Sequence, residues 1–247
     1  MAQSRRFVRF FISFSLALIP LGAQPQKAEK TAGAKVSAVW LNGQAGPRDV
    51  YVAAGQGTPV VLPVGASGRG KAVTLQVSGA ATLRLFSRQA PTAPGGPDTF
   101  AGVGEIALPA GSADRFLLVL ASQVTGLAVK GVAIADDLKS FPVASLRVAN
   151  FTGSSLSMRL DTQVKTLASG VSDPFAYSVV ADPKQKVVPS FPFALAKGEK
   201  VFFNGRIDAW PGSRTLILLI PGLDADKAPA VQSLIDTPPV VPATVTK

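Results

Sequence analysis

Two stretches of the chain are apolar at every position: Phe116-Leu117-Leu118-Val119-Leu120 and Leu216-Ile217-Leu218-Leu219-Ile220. Each is shorter than a typical helix and is bounded by turn-forming residues. An apolar strand without polar alternation is typical of a strand that is covered on both faces. The two stretches therefore predict central strands, one in each of two sheets.

The sequence on either side of these stretches also repeats. Residues 107–112 and 208–213 precede the two stretches, and each segment ends in Gly-Ser. After each stretch comes one more apolar segment that ends in an acid, Asp136 in the first case and Asp236 in the second. The spacing is about 100 residues, which is the length of one sandwich domain, and it favours a duplicated domain.

Much of the remaining chain alternates with a period of two. Residues 71–77 and 156–160 carry apolar side chains at every second position, as half-buried strands do. Residues 38–42 and 145–150 each open a pair of such strands and give a further match between the two copies. Short strands separated by Gly, Pro, Ser and Asn predict an all-β protein with two tandem immunoglobulin-like β-sandwich domains related by a weak internal repeat.

The N-terminal segment has the features of a secretory signal. Three arginines and no acid precede the apolar run at residues 10–18, and Leu21-Gly22-Ala23 offers a cleavage site. The run is short for a hydrocarbon core of about 30 Å. We expect cleavage, export to the periplasm or the cell surface, and no membrane span in the mature protein. An uncleaved N-terminal anchor is the alternative.

These observations divide the chain into six segments. They are a signal peptide (1–23), a flexible leader (24–35), a first β-sandwich domain (36–137), a short joint (138–141), a second β-sandwich domain (142–237) and an extended tail (238–247).

Composition excludes several kinds of chemistry. The chain has no cysteine and no histidine, so it has no disulfide, no thiolate or imidazole metal site and no Ser-His or Cys-His catalytic pair. Its formal charge of +10 is spread thinly along the sequence, whereas nucleic-acid binding needs a clustered basic surface. We expect no cofactor, no metal and no catalytic residue. A hydrolase built on two distant carboxylates stays open, but nothing selects the pair.

Two glycine-rich segments resemble nucleotide-binding motifs and fail in context. Residues 65–72 approach a phosphate-binding loop, but Ala72 stands where a hydroxyl is required and a strand pattern follows, which predicts a Gly-rich hairpin. Residues 102–107 approach a dinucleotide fingerprint, but Pro109 comes before a helix can form.

The aromatic residues supply the candidate contacts. Phe191 and Phe193 flank a proline in a loop-like stretch, and with the Pro- and Gly-rich loop at residues 89–97 they are the candidate partner contacts. The two tryptophans, Trp40 and Trp210, are expected to pack in the core or at its rim.

The second half of the chain resembles a group of uncharacterised exported bacterial proteins. The resemblance is carried by Phe141-Pro142, by residues 145–152 with Asn-Phe-Thr at their end, and by the turn and apolar strand at residues 211–221. It implies an envelope location and tandem immunoglobulin-like β-sandwiches, and it transfers no site residue.

These inferences together predict a non-catalytic exported envelope protein that acts as a structural or protein-interaction module. Its partner is expected to be an envelope protein or a cell-surface polymer, reached through strand edges or a hydrophobic patch. The alternative is a polysaccharide-binding accessory module, which requires an exposed aromatic platform.

Overall fold

The computed structural model describes residues 33–41, 49–77, 82–91, 96–110, 113–122, 128–178, 187–222 and 227–238. Within these ranges the chain forms 18 β-strands and no α-helix, which confirms the predicted all-β class. The described ranges contain no helix that is long and apolar enough to cross a membrane. They all belong to one compact unit, Thr31–Lys247.

The first copy of the repeat contains two sheets. Its strands are β1 (Gly33–Trp40), β2 (Val50–Ala54), β3 (Val60–Leu62), β4 (Val64–Gly65), β5 (Val73–Gln76), β6 (Thr82–Gln89), β7 (Thr99–Ala107), β8 (Arg115–Ser122) and β9 (Val129–Ala135). One sheet has the order β4-β1-β8-β9, with β5 also paired to β1, and the other has the order β3-β2-β6-β7. Alternate side chains of the two sheets meet in one hydrophobic core.

The second copy also contains two sheets. Its strands are β10 (Ser145–Asn150), β11 (Leu156–Leu160), β12 (Gln163–Leu167), β13 (Gly170–Val171), β14 (Phe175–Ala176), β15 (Ser190–Lys197), β16 (Lys200–Asp208), β17 (Arg214–Ile220) and β18 (Ala230–Asp236). One sheet has the order β13-β10-β17-β18, with β14 also paired to β10, and the other has the order β12-β11-β15-β16. They enclose a second core.

The two copies correspond strand for strand. In each, the first strand pairs in parallel with the all-apolar strand: β1 with β8, and β10 with β17. The register shifts at Leu85/Phe86 between β6 and β7, and at the matching step Leu195/Ala196 between β15 and β16. The pairing differs at β4, which runs parallel to β1, whereas β13 runs antiparallel to β10. The weak sequence repeat therefore reflects a repeated strand order.

The prediction that the two apolar stretches are central strands covered on both faces is confirmed. Along β17, Ile217 and Leu219 point into the core of the second copy, while Leu216 and Leu218 point the other way into a third cluster. The matching strand β8 contributes Leu117 and Val119 to that same third cluster. The sheets that contain β8 and β17 therefore face each other, and we call them the inner sheets; the other two are the outer sheets.

Some details differ from the sequence-based expectation. β1 begins at Gly33, so the predicted leader gives up residues 33–35 to a strand. The predicted Gly-rich hairpin at residues 65–72 is wrong, because β4 and β5 both pair with β1 and not with each other. The signal peptide, the rest of the leader and most of the tail lie outside the described residues.

Candidate functional site

The structure places the two predicted contact residues in the hydrophobic core of the second copy. Phe191 is 7% exposed and Phe193 is 1% exposed, because both rings lie on the inward face of β15. Phe191 stacks on Tyr177 with a centroid distance of 5.5 Å, and Phe193 meets Phe203 edge-on at 5.7 Å. The prediction that they form an exposed contact is therefore wrong, because Pro192 lies within the strand β15 and not in a loop.

The tryptophans lie where their sequence context predicted. Trp40 ends β1 inside the first core and is 5% exposed, whereas Trp210 lies at the rim before a turn and is 49% exposed. Of the predicted contact loop at residues 89–97, Gln89 to Pro91 and Gly96 to Pro97 are described, and all but Gly96 are exposed. The middle of that loop lies outside the described residues.

Five charged side chains meet between the inner sheets, and we call them the charge cluster: Arg69, Arg115, Asp136, Arg214 and Asp236. Arg115 and Arg214 begin matching strands, and the two acids end or follow the matching strands beside them. Each arginine binds the acid of its own copy, at 3.3 Å and 2.7 Å, and also the acid of the other copy, at 3.6 Å and 3.2 Å. The cluster thus repeats the two-fold relation between the copies and links them.

Arg69 enters the charge cluster from the glycine-rich segment between β4 and β5. It pairs with Asp136, and its Nε lies 3.9 Å from Asp236 Oδ2. A Cβ on Gly65 would lie 1.9 Å from the Gly68 carbonyl oxygen, and one on Gly70 would lie 1.9 Å from the Pro63 carbonyl oxygen. Close packing therefore requires glycine at both positions. The segment that resembles a phosphate-binding loop places the Arg69 guanidinium in an ion pair with Asp136.

Burial sets the protonation behaviour of this cluster. Asp136 is fully buried, and burial raises its pKa above the usual value, while the three guanidinium groups favour the charged form and oppose part of that shift. Each acid accepts contacts from both copies, so the cluster is built to hold charge in place. Within it Asp136 and Arg214 are closed off from solvent, whereas the side chain of Arg115 is 24% exposed.

The joint between the copies is held by side-chain hydrogen bonds to its backbone. Arg214 donates from Nη1 to the Phe141 carbonyl at 2.6 Å and from Nη2 to the Asp136 carbonyl at 2.8 Å. Arg147 donates to the carbonyls of Ala135 and Ser140. The Phe141 ring lies between the two guanidinium groups, 4.7 Å from that of Arg214 and 5.1 Å from that of Arg147. The joint is therefore an ordered turn.

The Asn-Phe-Thr motif of the sequence resemblance has a structural role. Asn150 is 1% exposed and donates from Nδ2 to the carbonyls of Ser154, Leu167 and Ala168. Its Oδ1 accepts hydrogen bonds from the backbone and hydroxyl of Thr152. The motif closes the turn after β10 and ties it to the end of β12, so it does not form a binding site.

The best candidate binding surface is the exposed face of the outer sheet in the first copy. Along β6, Arg84, Phe86 and Arg88 occupy the outward positions, while Leu83 and Leu85, at alternate positions, are fully buried. Tyr51 lies opposite Phe86 on β2, and Phe100 lies opposite Arg88 on β7. The rings of Tyr51 and Phe100 meet edge-on at a centroid distance of 4.9 Å.

A groove opens in this face at Gly102. Gly102 lies opposite Phe86, and a Cβ placed on it meets no described atom within 4 Å. Its outward neighbours along β7 are Phe100 and, beyond the bulge, Glu105 opposite Arg84. The groove has a volume of about 360 Å³ and is lined by Arg84, Leu85, Phe86, Gly102, Gly104 and Glu105. We call it the Gly102 groove.

Charged side chains of both signs surround the Gly102 groove. The Arg84 guanidinium lies 5.5 Å from the centroid of the Phe86 ring and donates to the Gly55 carbonyl at 2.5 Å. Arg88 pairs with Asp98 at 2.8 Å, and the hydrogen bond and charge of Asp98 raise the pKa of Arg88. With Glu105 the four formal charges cancel.

The second copy builds the same sheet without these side chains. By register, Ser157 matches Tyr51, Ala196 matches Phe86, and Val201 matches Gly102. Both copies keep the bulge, yet the second copy has small side chains where the first has rings, and a valine where the first has a glycine. The rings and the glycine are therefore not requirements of the fold.

A second groove, of about 380 Å³, lies between β12 and the segment 168–175. Its one aromatic ring, Phe175, is covered by the Lys165 ammonium at 4.7 Å from the centroid. The described residues contain no group of three or more acidic side chains that could hold a metal ion. The Phe86 ring has a guanidinium near it in the same way, at 5.5 Å, so a neighbouring cation does not separate the two grooves. The open position at Gly102, with the Phe100 ring on the same face, makes the Gly102 groove the stronger candidate.

Sequence reasoning overlooked the Gly102 groove, although its signal was present. The alternation Arg84, Phe86, Arg88 in residues 82–89 places aromatic and charged side chains on one face of a strand. The partners on β2 and β7 depend on register, which the sequence does not give. No protein-family model matches the chain, and a comparison with curated proteins found no similar sequence.

Proposed function

We propose that the chain is a non-catalytic exported envelope protein, and that it acts as an interaction module through the Gly102 groove. One observation carries the proposal: the first copy has the half-buried rings of Tyr51 and Phe86 beside an open glycine, where the second copy, with the same strand order, has Ser157, Ala196 and Val201. Side chains that the fold does not require, gathered on one face of a sheet, point to a surface used for contact.

The contact between the inner sheets supports the structural part of the proposed function. The third hydrophobic cluster, which includes Val39, Leu117, Ala149 and Leu216, joins the two sandwiches through apolar contact, and the charge cluster lies at the edge of the same contact. The outer faces of the two copies therefore have fixed positions. An interaction module of this kind presents its binding surface on a rigid support.

Strand edges are the less favoured route to a protein partner. The edge strands β7 and β16 both carry a bulge, at Val103 and Phe202, and bulges protect sheet edges from pairing. Lys200 and Arg206 add charges along β16. This leaves the exposed sheet face, rather than β-augmentation, as the contact that the geometry favours.

One specific observation supports the polysaccharide-binding alternative. It requires an exposed aromatic platform, and the outer face of the first copy has one exposed ring, Phe100, and two half-buried rings, Tyr51 and Phe86, beside charged hydrogen-bonding groups. Neither Trp40, which is buried in the first core, nor Trp210, which lies in the second copy, contributes to that face.

The test is binding of the purified protein to envelope fragments from the cells that produce it, followed by sedimentation. We expect the wild-type protein to sediment with the fragments. The variant Tyr51→Ser/Phe86→Ala, which takes the residues of the second copy, should stay in solution with an unchanged Tm. Val201→Ala on the second copy is the control and should bind like wild type. Equal binding of all three, or no binding of wild type, would overturn the proposal.

A further inference from the structure

We infer that the Gly102 groove binds a neutral sugar residue of an envelope polysaccharide. This inference rests on the proposed function and names its ligand class. It draws on the Phe86 ring that lines the groove, the hydrogen-bonding groups beside that ring and the balance of charge.

The shape of the groove fits a flat ring. Gly102 leaves an open position beside Phe86, and Phe100 lies two residues away on the same strand. The volume of about 360 Å³ is near the lower end for small-ligand sites, about 300 to 1,000 Å³. A sugar ring presents a flat patch of C–H groups, which packs favourably on an aromatic surface.

The polar groups suit the hydroxyls at the edge of such a ring. The Arg84 guanidinium lies beside the Phe86 ring and supplies donors, and the Glu105 carboxylate opposite it supplies acceptors. A hydroxyl can serve both groups because it donates and accepts.

The balance of positive and negative side chains beside the groove favours a neutral polymer over an acidic one. Arg84 and Arg88 are offset by Glu105 and Asp98, although the chain as a whole carries +10. An acidic polymer would instead favour a surplus of basic side chains at its site. An apolar protein side chain fits less well, because docking it would desolvate the charges without giving them new partners.

The experiment uses polysaccharide from the producing cells. The envelope is digested with protease, and its polysaccharide is separated by anion exchange into a neutral and an acidic fraction. Affinity electrophoresis then compares the purified wild-type protein with Phe86→Ala, Gly102→Val and the control Val201→Ala. Gly102→Val fills the groove with the residue of the second copy, and the fold should tolerate it because a Cβ at this position meets no described atom within 4 Å. The Tm of each variant checks this.

We expect the neutral fraction to retard wild type and Val201→Ala equally. Phe86→Ala and Gly102→Val should weaken binding by about tenfold or more, as loss of a central contact does. Retardation by the acidic fraction alone, or equal retardation of all variants, would overturn the inference. Binding to intact envelope but to neither fraction would also overturn it while leaving the proposed function standing. No binding even to intact envelope would overturn both.

Discussion

At the scale of single residues, Arg214 links the charge cluster to the joint between the copies. It is completely buried and contacts both acids of the charge cluster and the backbone of the joint. Arg115 occupies the matching position in the first copy, but its side chain is 24% exposed. Two arginines at equivalent positions thus differ in burial, and the cost of an unpaired charge depends on burial.

We therefore expect Arg214→Met to lower the free energy of unfolding by about 3 to 5 kcal/mol, because it leaves the buried carboxylate of Asp136 and the partly buried carboxylate of Asp236 short of a partner. Arg115→Met should cost about 1 kcal/mol or less, as partly exposed pairs do. Urea denaturation of both variants measures the difference. Equal losses would show that the buried and the partly exposed arginine contribute alike.

The misassigned aromatic pair gives a second prediction at this scale. Phe193 is 1% exposed and packs against Phe203, so Phe193→Ala should lower the free energy of unfolding by about 3 to 5 kcal/mol. Phe100→Ala, on the exposed face, should cost far less because that ring is 37% exposed. Denaturation midpoints compare the two, and a small effect of Phe193→Ala would contradict the core position.

At the scale of elements, the two glycines of β7 have different roles. A Cβ on Gly104 would lie 2.1 Å from the Val129 carbonyl oxygen, whereas one on Gly102 meets no described atom within 4 Å. Gly104 lets β9 approach β7 closely. In the second copy Phe203 occupies the matching position and fills the core instead.

Alanine at these two positions should therefore distinguish a glycine that close packing requires from a glycine that leaves an open position on the surface. Gly104→Ala should lower the Tm by several degrees, because β7 and β9 must move apart. Gly102→Ala should leave it nearly unchanged, and Ala at either site carries the same change in backbone freedom. Differential scanning calorimetry makes the comparison. A similar loss for both would mean that Gly102 is also needed for packing.

The turn at the joint predicts a pH effect. Burial raises the pKa of Asp137, but hydrogen bonds from Ser140 and the Lys139 backbone outweigh it, and the net pKa is lowered. A lowered pKa in the folded state adds stability above the unfolded value of about 3.9, and this is lost as pH falls through the folded pKa.

Asp137→Asn removes that titration while keeping a similar side chain. Wild type should be the more stable protein at about pH 6, and the gap should narrow as the pH falls below about 4. Urea denaturation at a series of pH values gives the gap directly. A constant gap across this range would mean that the Asp137 carboxylate is no better stabilised in the folded state than in the unfolded chain.

Sequence patterns predicted the elements better than the surfaces. The apolar stretches that became β8 and β17 were recognisable because a strand covered on both faces has no polar alternation. Phe191 and Phe193 were misread because Pro192 suggested a loop, although a proline is tolerated in a strand where its missing N–H faces away from the ladder. The Gly102 groove depends on which residues lie opposite one another across three strands. That register follows from the bulge at Val103, and no local pattern gives it.

At the scale of the whole molecule, the inner sheets join the two sandwiches through a symmetric apolar contact. Val39, Leu117, Val119 and Ile134 of the first copy face their counterparts Ala149, Leu216, Leu218 and Leu234. Such an interface resembles that of a two-fold dimer whose subunits have been fused. Each sandwich has its own hydrophobic core, so this interface determines whether the two copies unfold together.

The two tryptophans test this coupling, since Trp40 lies in the first core and Trp210 at the rim of the second copy. In the single-tryptophan variants Trp210→Phe and Trp40→Phe, we expect the two fluorescence signals to change at the same urea concentration. Adding Leu216→Asp places a charge in the interface without altering the side chains of either sandwich core, so the two transitions should separate. The conservative change Leu216→Val is the control and should keep them together. Coincident transitions in the Asp variant would show that the sandwiches are coupled by contacts other than the inner-sheet interface.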